Sequence, residues 1–365
     1  MRLDFFPSRT LTIYLAKMFI LRILAVLLML VLVLQTLDLL GQSGRILAYA
    51  GNGEAELWHY VSLRLPQLVA RFVPYSVLLA TIITLATLNQ NSEVISMKAA
   101  GMSAHQVLAP LLLTAIIVSI ASFAFNERIV TRATASLSAW SNADFGPIPR
   151  DSGVRTNVYF ASEGNILTAN TLSGTGDAMV MDGVSYYVRD ARGMISEQIR
   201  SPRATYAAPG WQLETPTRFD VPTATTTALQ PLVVARQLTP QQVTLSGVNA
   251  DRQNFIELKR SIDLLKDAGR RTDELEGKWW HKFSGPLSAA LMPLLGAVAA
   301  FGLARSGQLF IRAVIGMALG FAYFVVDNAA LAMGNFGGYP PLLAAWAPFL
   351  LFAFIGETVL VRTEE

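Results

Sequence analysis

The sequence contains no cysteine among its 365 residues. That removes disulfides, thiolate metal sites and cysteine nucleophiles, so any domain outside the cytoplasm must hold together by core burial. Charge is also scarce: 15% of residues are charged, against about 25% in soluble domains. The three histidines, His59, His105 and His281, are scattered and form no metal-ligand spacing. All three flank apolar stretches, which favours an interfacial or structural role. No G-x-x-x-x-G-K-[ST] run is present, so the chain holds no ATP through a P-loop. Gly174-Thr175-Gly176 lacks the helix and later glycine of a dinucleotide site. No Ser/His/Asp set can be assembled from the sequence. The expectation is a non-enzyme with no catalytic residue, metal or cofactor of its own.

What is abundant is apolar sequence, 52% of the chain. A helix needs roughly 20 mostly apolar residues to cross the hydrocarbon core. Phe72–Ser92 and Phe283–Ala304 contain no Asp, Glu, Lys or Arg, and Val107–Phe125 is similar. Ile23–Leu37 is shorter, but Lys17 and Arg22 can snorkel and let a span begin near Tyr14. Ala313–Ala332 carries only Asp327, and Leu342–Leu360 only Glu357. Six spans follow, near 15–37, 67–88, 107–125, 283–303, 312–332 and 342–361. A cleaved signal peptide ending at Ala48-Tyr49-Ala50 is the competing reading of the first. Its cleavage site would lie too far beyond the apolar run, with Asp38 and Arg45 between.

Short-loop charge sets the orientation. With the N-terminus inside, cytoplasmic pieces hold Arg2, Arg9, Lys17, Arg22, Lys98, Arg305, Arg312 and Arg362, whereas outside pieces hold Arg45, Arg64 and Arg71. Both termini are expected in the cytoplasm and the long middle outside. The net charge of +3 is then a topology signal and not a sign of nucleic acid. Three regions result: 1–125 with three spans, 126–282 outside, and 283–365 with three more.

The middle changes period. Asn157–Ala161, Ile166–Thr171, Val180–Val188, Met194–Arg200, Arg203–Ala207, Trp211–Thr215 and Thr217–Val221 read as strands, with Leu229–Ala235 as another. Seven or eight short strands without helices between them predict an all-β sandwich or jelly roll. Phe255, Leu258, Ile262 and Leu265 recur at helical spacing, predicting an amphipathic helix over Arg252–Leu275. Asp38–Pro66 reads as an outside loop turning at Gly51-Asn52-Gly53.

The inner loop Asn89–Gln106 holds a predicted short helix. Ser92 would cap it, Glu93 suits its positive end and Gly101 would stop it. It reads either as an interfacial helix or as one that docks in a partner. Asp327-Asn328, late in the fifth span, faces a bundle interior or wet cavity, because lipid exposure costs several kcal/mol; a structural clasp and a substrate role stand equal. Gly316-x-x-x-Gly320 favours close helix packing over gating. Arg45, Arg64 and Arg71 either anchor helices or grip an anionic headgroup.

Several stretches taken in order carry a resemblance. They are Leu65-Pro66, Phe72-Val73-Pro74, Asn91-Ser92-Glu93-Val94, Met97-Lys98-Ala99-Ala100-Gly101-Met102, Lys282-Phe283, Gly285-Pro286-Leu287, Phe321 to Asn328, and Gly338-Tyr339-Pro340-Pro341. Placed three spans either side of an insert, they resemble the LptF/LptG permeases of lipopolysaccharide export, with the inner loop nearer the LptG branch. The resemblance implies a six-span bacterial inner-membrane permease with a periplasmic β-jellyroll. It implies pairing with an LptF-like permease, an LptB-like ATPase dimer that uses ATP and Mg, an LptC-like anchor and an LptA-like bridge. Ser92, Glu93, Met97, Lys98 and Gly101 would form the coupling helix, about 92–101, in the ATPase. The first, second and fifth spans would line the lipid cavity and its gates, with Gln35, Asp38, Arg45, Arg71, Phe72, Phe321, Phe324, Asp327 and Asn328 on the path. A basic residue often found near the outer end of the first span is Gln35 here, with Arg45 the nearest substitute.

Two alternatives remain. One is another ABC-linked permease of the lipoprotein-releasing or MacB-like kind, which usually places its outer domain after the first span. The other is a membrane-anchored periplasmic scaffold that transports nothing, which needs neither a coupling helix nor a polar pair in the fifth span.

Overall fold

A computed structural model describes residues 7–147, 155–162, 164–174, 176–190, 192–245, 248–267, 270–301 and 309–362. The chain divides into two compact units. One is helical and takes Met1–Gly146, Asn249–Ile262 and Arg271–Glu365; the other takes Pro147–Val248 and Asp263–Arg270. The expected boundary at residue 126 thus falls inside a helix that belongs to the helical unit.

The helical unit contains α1 (Arg9–Leu47), α2 (Glu54–Gln90), the short α3 (Glu93–Ala99), α4 (Ala104–Phe125) and α5 (Thr131–Asn142). After the insert come α8 (Asp273–Phe301), α9 (Leu309–Asn335) and α10 (Pro341–Arg362). Five stretches of the described residues are long and apolar enough to cross a membrane: Arg9–Leu47, Glu54–Gln90, Ala104–Asn142, Val314–Asn335 and Pro341–Arg362. The fourth expected span, 283–303, begins within α8, and its last two residues lie outside the described residues.

Helices overrun the expected spans. At 1.5 Å per residue, the 39 residues of α1 make a rod about 58 Å long, nearly twice the hydrocarbon thickness of about 30 Å. The expected loop 38–66 shrinks to the six residues between α1 and α2. Its turn keeps Gly51 at φ +104, and Asn52 Nδ2 donates to the carbonyls of Ile46 (2.8 Å) and Phe145 (2.9 Å). Local polar bonding lets apolar helices continue into water.

Prolines inside the helices, Pro66 and Pro74 in α2 and Pro110 in α4, remove backbone donors that lipid cannot replace. Hydroxyls supply nearby bonding: Ser76 donates to Phe72 O at 2.9 Å and Thr114 to Pro110 O at 2.8 Å. Ser119 of α4 reaches across to Pro286 O of α8 at 2.7 Å. Small residues bring helices close. A Cβ on Gly320 would meet Leu78 Cδ2 at 2.1 Å, and one on Gly296 would meet Thr81 Cγ2 at 2.7 Å. Gly320 therefore packs α9 on α2, as small residues do in lipid.

Between α4 and α5 the helix widens into a π-helical turn, Asn126–Val130. The single helix expected over 252–275 is instead α7 (Phe255–Asp267) followed by the start of α8 at Asp273. Leu258, Ile262 and Leu265 are buried as their spacing requires.

The second unit is one antiparallel eight-stranded sheet. Its strands are β1 (Arg155–Ser162), β2 (Asn165–Ser173), β3 (Val180–Arg189), β4 (Ile195–Ala207), β5 (Gly210–Glu214), β6 (Thr217–Asp220), β7 (Thr225–Ala228) and β8 (Leu232–Val234). A short helix, α6 (Pro240–Leu245), follows. The two strands expected over 194–207 are one. Pro202, which lies between the two expected strands, sits where β4 changes partner, between Arg200 paired with Thr217 of β6 and Arg203 paired with Glu214 of β5. No ladder donor is required there. Ser201 Oγ donates to Arg203 O at 2.7 Å and also lies against Glu214 O. Strand β7, all Thr and Ala, carried no apolar alternation and was not anticipated.

Opposite Pro202 on β3 stands Gly183 at φ +64, and opposite that on β2 stands Asn170, whose side chain occupies the space of a Gly183 Cβ. Gly183 thus holds a left-handed backbone conformation at a place where Asn170 leaves no room for a side chain. The apolar faces of Leu167, Val184, Ile199, Trp211 and Leu213 share one core, and Trp211 Nε1 donates to Leu238 O at 2.8 Å.

Two outcomes are expected. Gly183→Ala should destabilise the β unit by about 1–3 kcal/mol, the cost of a left-handed non-glycine residue, and raise amide exchange along β2–β4; unchanged exchange would show that the site accepts a side chain. At the α1–α2 turn, Glu56 accepts from Gly53 N at 2.7 Å, and this bond holds its carboxyl below the usual range. A depressed carboxylate pKa stabilises above the unfolded value and is lost as pH falls through the folded one, so protection of the Gly53 amide should fall on acidification below about pH 4.

Candidate functional site

The inner-loop helix α3 is short, and its caps differ from expectation. Ser92 adopts φ 58 with no side-chain cap. The tight exit from α2 through Asn91 claims that backbone shape, and the Ser92 carbonyl instead accepts from Ser96 N and Oγ. Gly101 does stop the helix, at φ +86, with its N–H on Lys98 O and that of Met102 on Met97 O. Val94 and Met97 are buried in the helical core, while Ile95 is 64% exposed beside exposed Ser92 and Lys98. Met97 therefore faces inward. Glu93 meets Tyr14 Oη of α1 at 3.3 Å and Asn91 Nδ2 at 3.3 Å.

At the opposite end of α1, two expected path residues are occupied in clasps. Asp38 accepts from Tyr60 Oη (2.5 Å) and from Arg64 (2.9 and 3.1 Å). Burial and this carboxylate both push the Tyr60 phenol up. Arg45 lies over the Phe145 ring at 5.5 Å and 3.9 Å from Asp144. Gln35 is buried, and neither side-chain polar atom has a partner among the described residues. Phe321 is 66% exposed on α9, away from these three.

The remaining path residues do converge. A cavity of about 570 Å³ in the helical unit is lined by Arg71, Tyr75, Phe324, Asp327 and Asn328, together with His281. Phe72 stands beside it, its ring 5.6 Å from Tyr75, which stacks on Phe324 at 4.0 Å. Asp327 Oδ2 is 3.7 Å from His281 Nε2, and its Oδ1 has no partner among the described residues. Asn328 Nδ2 donates to Phe324 O at 2.7 Å. On the cavity wall, Lys282 and Glu127 form a buried pair at 3.0 Å, and Glu127 also accepts from Phe255 N at 2.5 Å.

The family model for the lipopolysaccharide export system permease LptF/LptG matches residues 13–362. The chain belongs to that family. The lipopolysaccharide export system permease protein LptG of Escherichia coli strain K12 is 25% identical over 315 residues, 83% of this chain and 84% of that protein. The LptG protein of Haemophilus influenzae is 23% identical over 335 residues, covering 86% and 89%. As an LptF/LptG permease, the chain is a transporter subunit that crosses the membrane several times.

Sequence reasoning missed His281 as the neighbour of Asp327 and Glu127 as the partner of Lys282. Opposite charges at the end of the third span and the start of the fourth were a signal, though spacing alone gave no distance. His59 packs edge-on against Trp140 at 5.1 Å, and His105 bonds Glu357 at 2.9 Å, the structural roles expected of them. Lys282→Met should cost about 3–5 kcal/mol by leaving Glu127 buried and uncompensated. Adding Glu127→Gln should return much of the lost thermal stability in detergent, and a double variant no better than the single would refute the pairing.

Proposed function

We propose that this chain is the LptG-type half of an exporter that draws lipopolysaccharide from the outer leaflet of the inner membrane and passes it to a periplasmic bridge. The match over 13–362, spanning both helical blocks and the β insert between them, is the observation that carries this reading. Each buried CH₂ of an acyl chain holds the lipid in place by about 0.8 kcal/mol, so extraction needs a continuous apolar route and an external energy source. Exposed apolar faces on α1 and α9, including Leu28, Leu32, Phe321 and Val325, suit the walls of such a route when a second permease faces them.

Both termini lie in the cytoplasm in this reading, and the β unit lies in the periplasm. An LptF-like permease completes the cavity, and an LptB-like ATPase dimer supplies ATP and Mg chemistry through α3. LptC-like and LptA-like proteins receive the lipid from the β unit. Glu93, Lys98 and the exposed Ile95 form the docking face, while Val94 and Met97 root the helix in the core. Asp38 and Arg45 act as clasps for the outer ends of the helices.

Reconstitution with the second permease and the ATPase, followed by transfer of lipopolysaccharide to the bridge protein, tests the reading. Glu93→Ala or Gly101→Pro should lower lipid release at least about tenfold, the loss expected on removing one charge-assisted contact or breaking the cap, with hydrolysis continuing. Normal release in both variants at normal expression would sink the docking assignment. A wild-type assembly that ignores lipopolysaccharide would sink the export reading.

A further inference from the structure

The charges around the 570 Å³ cavity are not all matched. Lys282 is neutralised by Glu127 at 3.0 Å, and Lys278 by Glu274 at 2.8 Å. Arg71 is exposed at the rim and makes no ion pair among the described residues. Asp327 lies inside with its side chain 7% exposed. Its contact to His281 at 3.7 Å is too long for a hydrogen bond, His281 Nδ1 is engaged by Ser284 at 3.2 Å, and Oδ1 has no partner. A buried carboxylate on the wall of a polar cavity calls for a donor. Asp251 also lines the cavity and makes no ion pair among the described residues. Between Arg71 and Asp327, the stacked rings of Tyr75 and Phe324 form a wall of the kind that attracts cations.

The depth of the cavity narrows the ligand. Its lining comes from the start of the second span (Arg71), the end of the third (Ser122, Asn126), the start of the fourth (Lys282) and the end of the fifth (Asp327). Those four ends share one membrane boundary, the level of lipid headgroups. A group with a cation able to donate hydrogen bonds and a nearby anion matches Asp327, with Asp251 beside the same cavity, and Arg71.

We propose that this cavity is a binding site for the phosphoethanolamine headgroup of a resident phospholipid, its ammonium on Asp327 and its phosphate on Arg71. The site goes beyond the export reading, because it needs the chain to sit in a bilayer and not to move lipid through it. An assembly that exports nothing but selects this headgroup leaves the site standing.

The full-length chain in detergent, titrated with single phospholipids and followed by native mass spectrometry, tests the assignment. Palmitoyl-oleoyl phosphatidylethanolamine should bind at least about tenfold more tightly than the matching phosphatidylcholine, whose methylated ammonium cannot donate, or phosphatidylglycerol, which has no cation. Asp327→Asn should abolish the preference over phosphatidylcholine. Arg71→Gln, at an exposed position, should weaken ethanolamine and glycerol lipids alike. Equal binding of the ethanolamine and choline lipids by the wild-type chain overturns the site without recourse to any variant, as does a preference that survives Asp327→Asn. Displacement of the bound phospholipid by a lipopolysaccharide lacking ethanolamine would overturn its residence and place the cavity on the export path.

Discussion

Three passes of the chain are pinned at one carboxylate. Glu127 stands in the π-helical turn where the third helix leaves the apolar region, Lys282 of α8 pairs with it at 3.0 Å, and the first amide of α7 donates to it at 2.5 Å. Around them Phe123, Phe255, Trp279 and Phe283 pack with ring centroids 5.4–6.3 Å apart. Two charges with side chains less than a tenth exposed are tolerable only because each is paired and hydrogen-bonded. The exit to the insert and the return from it are thereby fixed at a common point, and the cavity is built against that same wall.

Elsewhere in the helical unit the governing rule is that lipid offers no hydrogen bonds. Prolines are tolerated beside hydroxyls that bond nearby carbonyls, and close crossings are made by glycine. Asp327 and Gln35 are among the residues that depart from the rule, each keeping a buried polar atom without a partner among the described residues, as do Thr84 and Trp346. Asp327 alone of these opens onto the cavity, and there the departure is chemical rather than incidental.

Much of this was legible in the residues. Runs without charge located the membrane helices, because removal of charge is what the bilayer selects for. The period-two pattern of Ile166–Thr171 and Val180–Val188 located β2 and β3, because one face of each is buried. The ends were less legible: α1 continues ten residues past Leu37, since a helix that satisfies its own backbone need not stop at the lipid boundary. That β4 runs through Pro202 as one strand was not legible, because the place of a proline depends on which strand lies alongside, and that is a property of pairing. The same holds for His281 and Glu127, whose partners are 46 and 155 positions away.

The length of α1 has a mechanical corollary. Most of its apolar window is not enclosed by its own chain, with 22% buried, and its main polar tether is the Asp38 clasp to α2. A stiff rod about 58 Å long that leans by about 5° about one end carries the other end sideways by about 5 Å. Small rotations about that clasp are therefore amplified toward Tyr14, so the helix is a lever whose throw is set by its length.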